Sequence, residues 1–271
     1  MSSSLDIRYG QSLRALNTFG IDAKAAAYLQ VSGLDDLRAV RADATLSALR
    51  RLVLGGGSNL LLTQDFDGLV LHMVNTGIVV SGEDDNKVYV TAQAGEHWLV
   101  FVQALRDRAV VLEVLFALPK RWQPNLRYLE LATELQSQHI PHPTASDISN
   151  AVIAIRRRKL PDPATLGNAG SFFKNPVVTQ VQCRELLAKY PQLICYPQPD
   201  GSVKLAAGWL IDQCGWKGKS LGQAGVHEKQ ALVLVNLGGA TGEDIMALAS
   251  SIQAEVVGRF DVLLEPEPVV I

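Results

Sequence analysis

The sequence has few cysteines, little net charge and no long apolar run, and each shortage excludes a class of protein. Its three cysteines, Cys183, Cys195 and Cys214, form no CxxC pair and are odd in number, which argues against a disulfide framework or a structural zinc site. The formal net charge of −2 gives no general attraction to nucleic acid or to an anionic membrane. No stretch approaches the roughly 18 apolar residues of a membrane span, and the amino terminus lacks the apolar core of a signal peptide. We therefore expect a cytoplasmic protein that binds neither nucleic acid nor membrane.

The five histidines show no HExxH or other ligand spacing, so we expect no metal. A chain of 271 residues, 48% hydrophobic and 19% charged, is long enough for two or three compact units. Prolines at 119, 124, 141 and 143 make one internal stretch poor in regular structure. We place a domain boundary near Leu118, with one domain over residues 11–118 and a second over residues 119–271.

A glycine loop follows an apolar run at residues 52–54, which predicts a buried strand, and a second apolar run follows at residues 60–62. The loop offers approachable backbone N–H groups and two small polar side chains, which suit the diphosphate of a dinucleotide. It is neither GxGxxG nor a P-loop, so a plain tight turn remains an equal alternative. The loop consists of Gly55, Gly56, Gly57, Ser58 and Asn59.

Residues 167–176, with the sequence GNAGSFFKNP, place a glycine-flanked serine among amide and amine groups, next to two aromatic side chains. We interpret this stretch as a loop that exposes one hydroxyl group. It lacks GxSxG and no strand precedes it, which disfavours hydrolase chemistry, while a serine that merely fills a turn remains an alternative.

Two further polar clusters have structural as well as functional interpretations. Carboxylates and prolines alternate over residues 265–268 and can line a cleft, although a solvated terminal tail is the commoner interpretation. Basic residues 156–159 end a helix predicted from about residue 147 to 158, where they are more often complements of the helix dipole than ligands. Another helix is predicted to begin with Thr241 and Asp244 in capping-box spacing and to end near Gly258, flanked by strands at 231–235 and 262–264.

The stretch after residue 95 contains an abrupt junction. Residues 88–94 predict a strand, and apolar residues at 98, 101, 102 and 105 predict an amphipathic helix after it. The helix then meets a strand-like run at 109–114 without any turn signal.

The order and the amino-acid sequences of these segments resemble those of the UDP-N-acetylenolpyruvoylglucosamine reductase family. Residues 17–21 and 55–59 resemble its flavin-binding segments, and its substrate domain is resembled by residues 159–163, 167–176, 200–211, 227–236 and 264–267. The resemblance implies an α+β fold: an FAD-binding domain of the PCMH type, like that of vanillyl-alcohol oxidase and here incomplete, followed by a C-terminal α/β substrate-binding domain.

The family implies FAD, NADPH as hydride donor, and UDP-N-acetylglucosamine enolpyruvate as the substrate that becomes UDP-N-acetylmuramate in peptidoglycan synthesis. We also expect a monomer. Ser171 matches the residue that gives a proton to C2 of the enolpyruvyl group, and Glu267 matches the carboxylic acid that assists. The positions that match family contacts to the UDP-sugar are Tyr128, Arg156, Lys159, Asn175 and Gln230.

The resemblance breaks at Arg108/Ala109, where the family carries further residues, including IPG...QNIGAYG and GYRDS segments that are absent here. In the family the first lines the flavin and the arginine of the second stabilises developing negative charge. We therefore expect weak FAD binding, slow turnover and exposed apolar surface in the first domain. A non-catalytic UDP-sugar-binding remnant and a different flavin oxidoreductase are the alternatives.

Overall fold

The computed structural model describes residues 5–96, 113–126 and 128–271. They form two compact units that alternate along the chain: Met1–Gln11, Lys24–Gly56 and Phe66–Lys159 belong to the first, and Ser12–Ala23, Gly57–Asp65 and Leu160–Ile271 to the second. The domain bounds 11–118 and 119–271 stay a prediction. The junction at Arg108/Ala109 and the helix expected near residue 98 lie outside the described residues.

The strands and helices alternate irregularly, as expected for an α+β chain. The strands are β1 (Arg8–Ser12), β2 (Lys24–Val31), β3 (Arg51–Leu54), β4 (Leu60–Leu61), β5 (Phe66–Met73), β6 (Ile78–Glu83), β7 (Lys87–Gln93), β8 (Glu113–Pro119), β9 (Gly167–Ser171), β10 (Val177–Val178), β11 (Cys195–Pro197), β12 (Val203–Leu205), β13 (Ser220–Leu221), β14 (Ala224–Val226), β15 (Val233–Asn236) and β16 (Val269–Val270). The helices are α1 (Leu34–Ala42), α2 (Ala44–Ala48), α3 (Leu129–Ser137), α4 (Ala145–Lys159), α5 (Gln180–Lys189), α6 (Ala207–Gln213) and α7 (Gly242–Phe260), with a 3₁₀ turn at Arg14–Leu16.

The first unit contains a four-stranded sheet in the order β1-β2-β5-β3, in which β2, β5 and β3 run parallel. Its apolar side chains form a core with Val40 of α1 and Leu46 of α2, because a parallel sheet needs helices to cover its faces. Separately, α3 and α4 pair through Leu131, Leu135 and Ile155.

The first unit also contains a three-stranded antiparallel sheet, β6-β7-β8. The register places Ile78 opposite Ala92, and Val80 opposite Val90, which in turn pairs with Phe116. These residues alternate along their strands, so they share one face, and that face is apolar. Ile78 is 65% exposed and Val80 is 68% exposed, so the sheet presents apolar surface to solvent.

The second unit is built on a sheet in the order β13-β14-β15-β9, on which α7 packs. Helix α7 begins with the predicted capping box: the Thr241 hydroxyl accepts a hydrogen bond from the Asp244 backbone N–H, and the Asp244 carboxylate accepts one from the Thr241 backbone N–H. The helix ends at Phe260, two residues beyond the predicted end. Its apolar stripe, from Ile245 to Val256, is fully buried.

The strand predicted at residues 262–264 is wrong. Val262 and Leu264 are buried in alternation, as the pattern requires, but no strand among the described residues pairs with the segment. The Leu264 carbonyl oxygen instead accepts a hydrogen bond of 2.7 Å from the Gln253 side chain on α7. A side chain therefore satisfies the backbone that a neighbouring strand would otherwise pair with.

None of the described helices combines the length and the apolar character needed to cross a bilayer. Within the described ranges, no group of three or more histidine, cysteine, aspartate or glutamate side chains is placed to hold a metal ion.

Candidate active site

The glycine loop at residues 55–59 has a conformation that depends on glycine at one position. Gly57 has a φ of +62°, and a Cβ atom there would overlap the backbone of Leu16. By contrast, a Cβ atom at Gly55 would meet nothing within 4 Å. The loop is therefore packed closely against protein at Gly57 and open at Gly55.

The open side of this loop suits an anionic group. Among the hydrogen bonds of the described residues, none uses a backbone N–H of residues 55–59 as its donor. These N–H groups, with the half-buried side chains of Ser58 and Asn59, form a donor set that fits an anionic group such as a diphosphate.

A short segment of the second unit fixes the position of Gly57, the first loop residue that belongs to that unit. The Thr18 N–H donates to the Gly57 carbonyl oxygen at 3.1 Å, and the Thr18 carbonyl oxygen accepts from the Asn168 N–H at 2.9 Å. Asn17 holds this segment: its Nδ2 donates to the carbonyl oxygens of Leu13 and Ile21, and its Oδ1 accepts from the Ile21 N–H. Residues 17 and 18 thus connect the glycine loop to the start of residues 167–176, called here the serine segment because it carries Ser171.

The first half of the predicted loop is a strand, β9 (Gly167–Ser171), whereas residues 174–176 have no regular structure, as predicted. Ser171 is the last residue of β9 and lies opposite Val233 of β15. The prediction failed because the partner strand lies about sixty residues away in sequence, and because Gly170, with a φ of +71°, marks an irregularity rather than a turn. Ser171 is exposed, whereas the following rings, Phe172 and Phe173, are 0% and 1% exposed and anchor the strand.

The buried side chain of Asn168 stabilises the same strand through hydrogen bonds. It is 2% exposed, and its Nδ2 donates to the carbonyl oxygens of Leu166 at 2.8 Å and Pro161 at 3.3 Å. Its Oδ1 accepts from the Gly170 N–H at 2.9 Å. We missed this role in the sequence; the signal was an amide residue enclosed by glycine and alanine, where a side chain can replace strand pairing.

Glu267 lies beside the serine strand. Its backbone N–H donates to the Phe172 carbonyl oxygen at 2.8 Å, and Pro266 forms an isolated antiparallel bridge with Phe173. The terminal segment is therefore docked rather than a solvated tail, and it continues into β16, which pairs in parallel with β4. The Glu267 backbone is thus hydrogen-bonded to Phe172, the residue that follows Ser171.

The glycine loop contacts the same terminal segment, at Glu267 and Val269. The Asn59 side chain donates to the Glu267 carbonyl oxygen at 3.5 Å, and the Asn59 carbonyl oxygen accepts from the Val269 N–H at 2.9 Å. Asn59, Glu267 and Ser171 are thus gathered in one part of the second unit.

Asn175 and Gln230 meet at the start of α6. The Asn175 Oδ1 accepts from the Ala207 N–H at 2.9 Å, and a Cβ atom at Gly208 would lie 3.4 Å from the Gln230 Oε1. The Gln230 Oε1 also accepts from the Leu232 N–H at 3.4 Å. Both amides are held through their oxygen atoms, so their NH₂ groups are the ends suited to donate to a ligand.

The remaining predicted site residues belong to the first unit. Lys159 ends α4, and its Nζ lies 2.5 Å from the Oε2 of Glu130, which also accepts from the Tyr128 hydroxyl at 3.2 Å. The Lys159 ammonium group is the main reason that the pKa of Glu130 lies below its ordinary value. Arg156 is exposed one turn earlier on α4. We did not single out Glu130 in the sequence, because a glutamate in the first turn of a helix has an ordinary structural explanation.

Comparison with known proteins finds a matching family model for each half of the chain. A family model described as "UDP-N-acetylenolpyruvoylglucosamine reductase, C-terminal domain" matches residues 162–271, and one described as "FAD binding domain" matches residues 25–121. The UDP-N-acetylenolpyruvoylglucosamine reductase of Burkholderia mallei (strain NCTC 10229) is 42% identical over 340 residues, covering 98% of this chain and 98% of that protein. The same enzyme of Burkholderia multivorans is also 42% identical, with 98% of this chain and 97% of that protein covered.

A solved structure, the UDP-N-acetylenolpyruvylglucosamine reductase (MurB) from Thermus caldophilus, matches over 98% of both chains with a TM-score of 0.54 at 17% identity, which is a likeness of fold. The sequence alignments run over 340 positions, whereas this chain has 271 residues, so they contain gaps in this chain.

Proposed function

The chain belongs to the UDP-N-acetylenolpyruvoylglucosamine reductase family, and we propose that it reduces UDP-N-acetylglucosamine enolpyruvate to UDP-N-acetylmuramate for peptidoglycan synthesis, with FAD as cofactor and NADPH as reductant. The matches to the curated relatives and to the two family models confirm the family resemblance of the sequence. They also confirm the α+β class with an FAD-binding domain and a reductase C-terminal domain. The observation that carries the proposal is the hydrogen bond from the Glu267 N–H to the Phe172 carbonyl, next to Ser171.

In this proposal the glycine loop holds the FAD diphosphate. Backbone N–H groups of residues 55–59 and the side chains of Ser58 and Asn59 would donate to the phosphate oxygens. The chemistry that bound FAD would supply is hydride transfer between NADPH and the enolpyruvyl group. The support is the fit between this donor set and an anion, together with the match of residues 25–121 to an FAD-binding domain.

Ser171 supplies the proton. As a hydride arrives at C3 of the enolpyruvyl group, the Ser171 hydroxyl gives its proton to C2, and the remaining alkoxide regains a proton from water, which reaches this exposed side chain. The side-chain carboxyl group of Glu267, whose backbone is hydrogen-bonded beside the strand, assists Ser171. A hydroxyl group needs a fixed polar setting to act as an acid, and the buried Phe172 and Asn168 fix the strand that carries it.

The UDP-sugar is held by Tyr128, Arg156, Lys159, Asn175 and Gln230. Cationic side chains and a phenol hydroxyl suit diphosphate oxygens, and amide NH₂ groups suit the hydroxyl and carbonyl groups of a nucleotide sugar. We further propose a cytoplasmic monomer with an FAD-binding domain at 11–118 and a substrate domain at 119–271.

The two half-reactions test the role of Ser171. In protein supplied with excess FAD, Ser171→Ala should leave flavin reduction by NADPH intact and slow flavin reoxidation by the enolpyruvyl substrate by orders of magnitude, both followed by flavin absorbance. Ser220→Ala is the matched control, since Ser220 is also an exposed strand serine. Equal loss of both half-reactions in Ser171→Ala would contradict the proton-donor role.

The alignment gaps favour a second candidate, a UDP-sugar-binding remnant that does not turn over. Both candidates predict binding of the UDP-sugar in calorimetry. The two candidates differ in FAD binding and in turnover. For the reductase we expect loose FAD binding and slow turnover, and faster turnover when a relative's internal segment is inserted at Arg108/Ala109. A protein that binds the UDP-sugar but never acquires a flavin spectrum at high FAD would be the remnant.

A further inference from the structure

We propose that Glu130 acts as an internal competitor of the substrate: it occupies the ammonium group of Lys159 and the hydroxyl of Tyr128 until an anionic group of the UDP-sugar displaces it. This inference rests on the proposed function, which assigns Lys159 and Tyr128 to UDP-sugar binding. It adds a residue that sets substrate affinity without contacting the substrate.

The geometry places one carboxylate between two proposed substrate contacts. Glu130 lies in the first turn of α3, and its Oε2 accepts from the Lys159 Nζ at 2.5 Å and from the Tyr128 hydroxyl at 3.2 Å. A phenol hydroxyl has a single proton, so Tyr128 can donate to Glu130 or to a phosphate oxygen but not to both. Lys159 has three N–H donors, yet its charge is already neutralised by the carboxylate.

The contacts are weak enough to exchange. The Lys159 side chain is 41% exposed and that of Glu130 is 26% exposed, and ion pairs open to solvent in this way contribute little free energy. A diphosphate presents more negative charge than one carboxylate, so it has the stronger attraction for the same ammonium group.

The released carboxylate has another partner nearby. The Arg158 Nη2 lies 3.9 Å from the Glu130 Oε1 and 2.9 Å from the Oε2 of Glu134. A small side-chain rotation of Glu130 would therefore exchange Lys159 for Arg158 without leaving the carboxylate unpaired. The charged and titratable groups of this cluster are Glu130, Glu134, Arg158, Lys159 and Tyr128.

Glu130→Gln tests the inference in the full chain, with UDP-N-acetylglucosamine enolpyruvate as the probe in titration calorimetry. Glutamine keeps the size and an acceptor oxygen but removes the competing charge, so the Kd should fall about three- to tenfold. Glu134→Gln is the matched control: it removes the same charge from the same helix, but Glu134 contacts Arg158 rather than Lys159. Its Kd should change less than twofold.

A double-variant cycle separates competition from a structural role. In a Lys159→Met background, the gain in affinity from Glu130→Gln should fall to the smaller part that comes from Tyr128, because the charge that Glu130 masks is gone. Weaker or unchanged binding by Glu130→Gln would overturn the inference, and an equal gain in Glu134→Gln would replace it with general charge repulsion.

The same experiment distinguishes the failure of this inference from the failure of the proposed function. If Lys159→Met binds the probe as tightly as the unchanged protein, the assignment of Lys159 to the substrate is wrong, and this inference fails with it. If Lys159→Met weakens binding and Glu130→Gln brings no gain, the proposed function survives and only the role of Glu130 fails.

Discussion

Replacing Gly242 with alanine will destabilise the second unit, whereas the same replacement at Gly258 of the same helix will stabilise it. A Cβ atom at Gly242 would lie 2.7 Å from the Leu62 carbonyl carbon and 2.7 Å from the Thr63 Cα, and closer still to the Leu62 oxygen, whereas ordinary contacts are 3.4–4 Å. Neither neighbour is a flexible side chain, so backbone must move by about 1 Å, and forced overpacking of this kind costs about 1–3 kcal/mol. The start of α7 cannot move freely, because Ile245 and Leu248 are fully buried in the following turns.

At Gly258 the physical situation is the opposite. The position is exposed in the last turns of α7, and a Cβ atom there would meet nothing within 4 Å. Alanine is favoured over glycine in a helix by about 1 kcal/mol. The two substitutions are chemically identical and lie in one helix, so each controls for the other.

Urea unfolding followed by circular dichroism measures both effects. We expect the midpoint to fall for Gly242→Ala and to rise for Gly258→Ala, with unchanged slopes. A Gly242→Ala protein as stable as the original, or midpoints that shift in the same direction, would refute the close approach of α7 to the Leu62–Thr63 backbone.

Three further predictions concern the fold around the site and the exposed sheet. Asn17→Ala should lower the free energy of unfolding by about 2–4 kcal/mol, because a side chain 7% exposed loses three hydrogen bonds; Asn86→Ala, at an exposed turn, should change it little in the same urea experiment. The Thr241 backbone N–H and hydroxyl hold the pKa of Asp244 below its ordinary 3.8, so its contribution to stability is complete above that value and is lost as pH falls through the lower folded value. Asp244→Asn should therefore be less stable at neutral pH and lose less stability on acidification, and identical unfolding curves from pH 6 to pH 3 would contradict this. Ile78→Thr should reduce concentration-dependent light scattering, because Ile78 is 65% exposed on an apolar sheet face; unchanged scattering would mean that this face does not drive association.

Local signals placed α4 and α7 correctly, because a helix is stabilised by residues near one another in sequence. The other helices were not predicted, and α3 (Leu129–Ser137) contradicts the expectation that the stretch between Pro119 and Pro143 is poor in regular structure. The helix predicted over residues 147–158 is α4 (Ala145–Lys159), and the capping box of Thr241 and Asp244 begins α7 as expected. The strand predicted at 88–94 is β7 (Lys87–Gln93). In each case the residues that decide the structure lie within one or two turns of the helix or within the strand itself.

Strand assignments failed where the outcome depended on residues outside the segment itself. Ser171 lies in a strand only because residue 233 supplies its partner, and residues 262–264 are not a strand because the Gln253 side chain takes the Leu264 carbonyl. Neither fact has a signal in the periodicity of the segment concerned. The alternation of apolar residues predicted burial correctly in the second case and pairing incorrectly.

The candidate site shows the same division between what is local and what is not. Asn59 and Glu267 are 208 residues apart, yet a side chain of one contacts the backbone of the other. Their meeting follows from the pairing of β4 with β16, two strands of two residues each, which no periodicity analysis identifies. Only the resemblance of whole segments to a family connected them in advance. Glu130 belongs to no such segment, and its contact with Lys159 crosses from one helix to another. Residues that act by competing for a substrate contact therefore become visible only when the fold places them beside it.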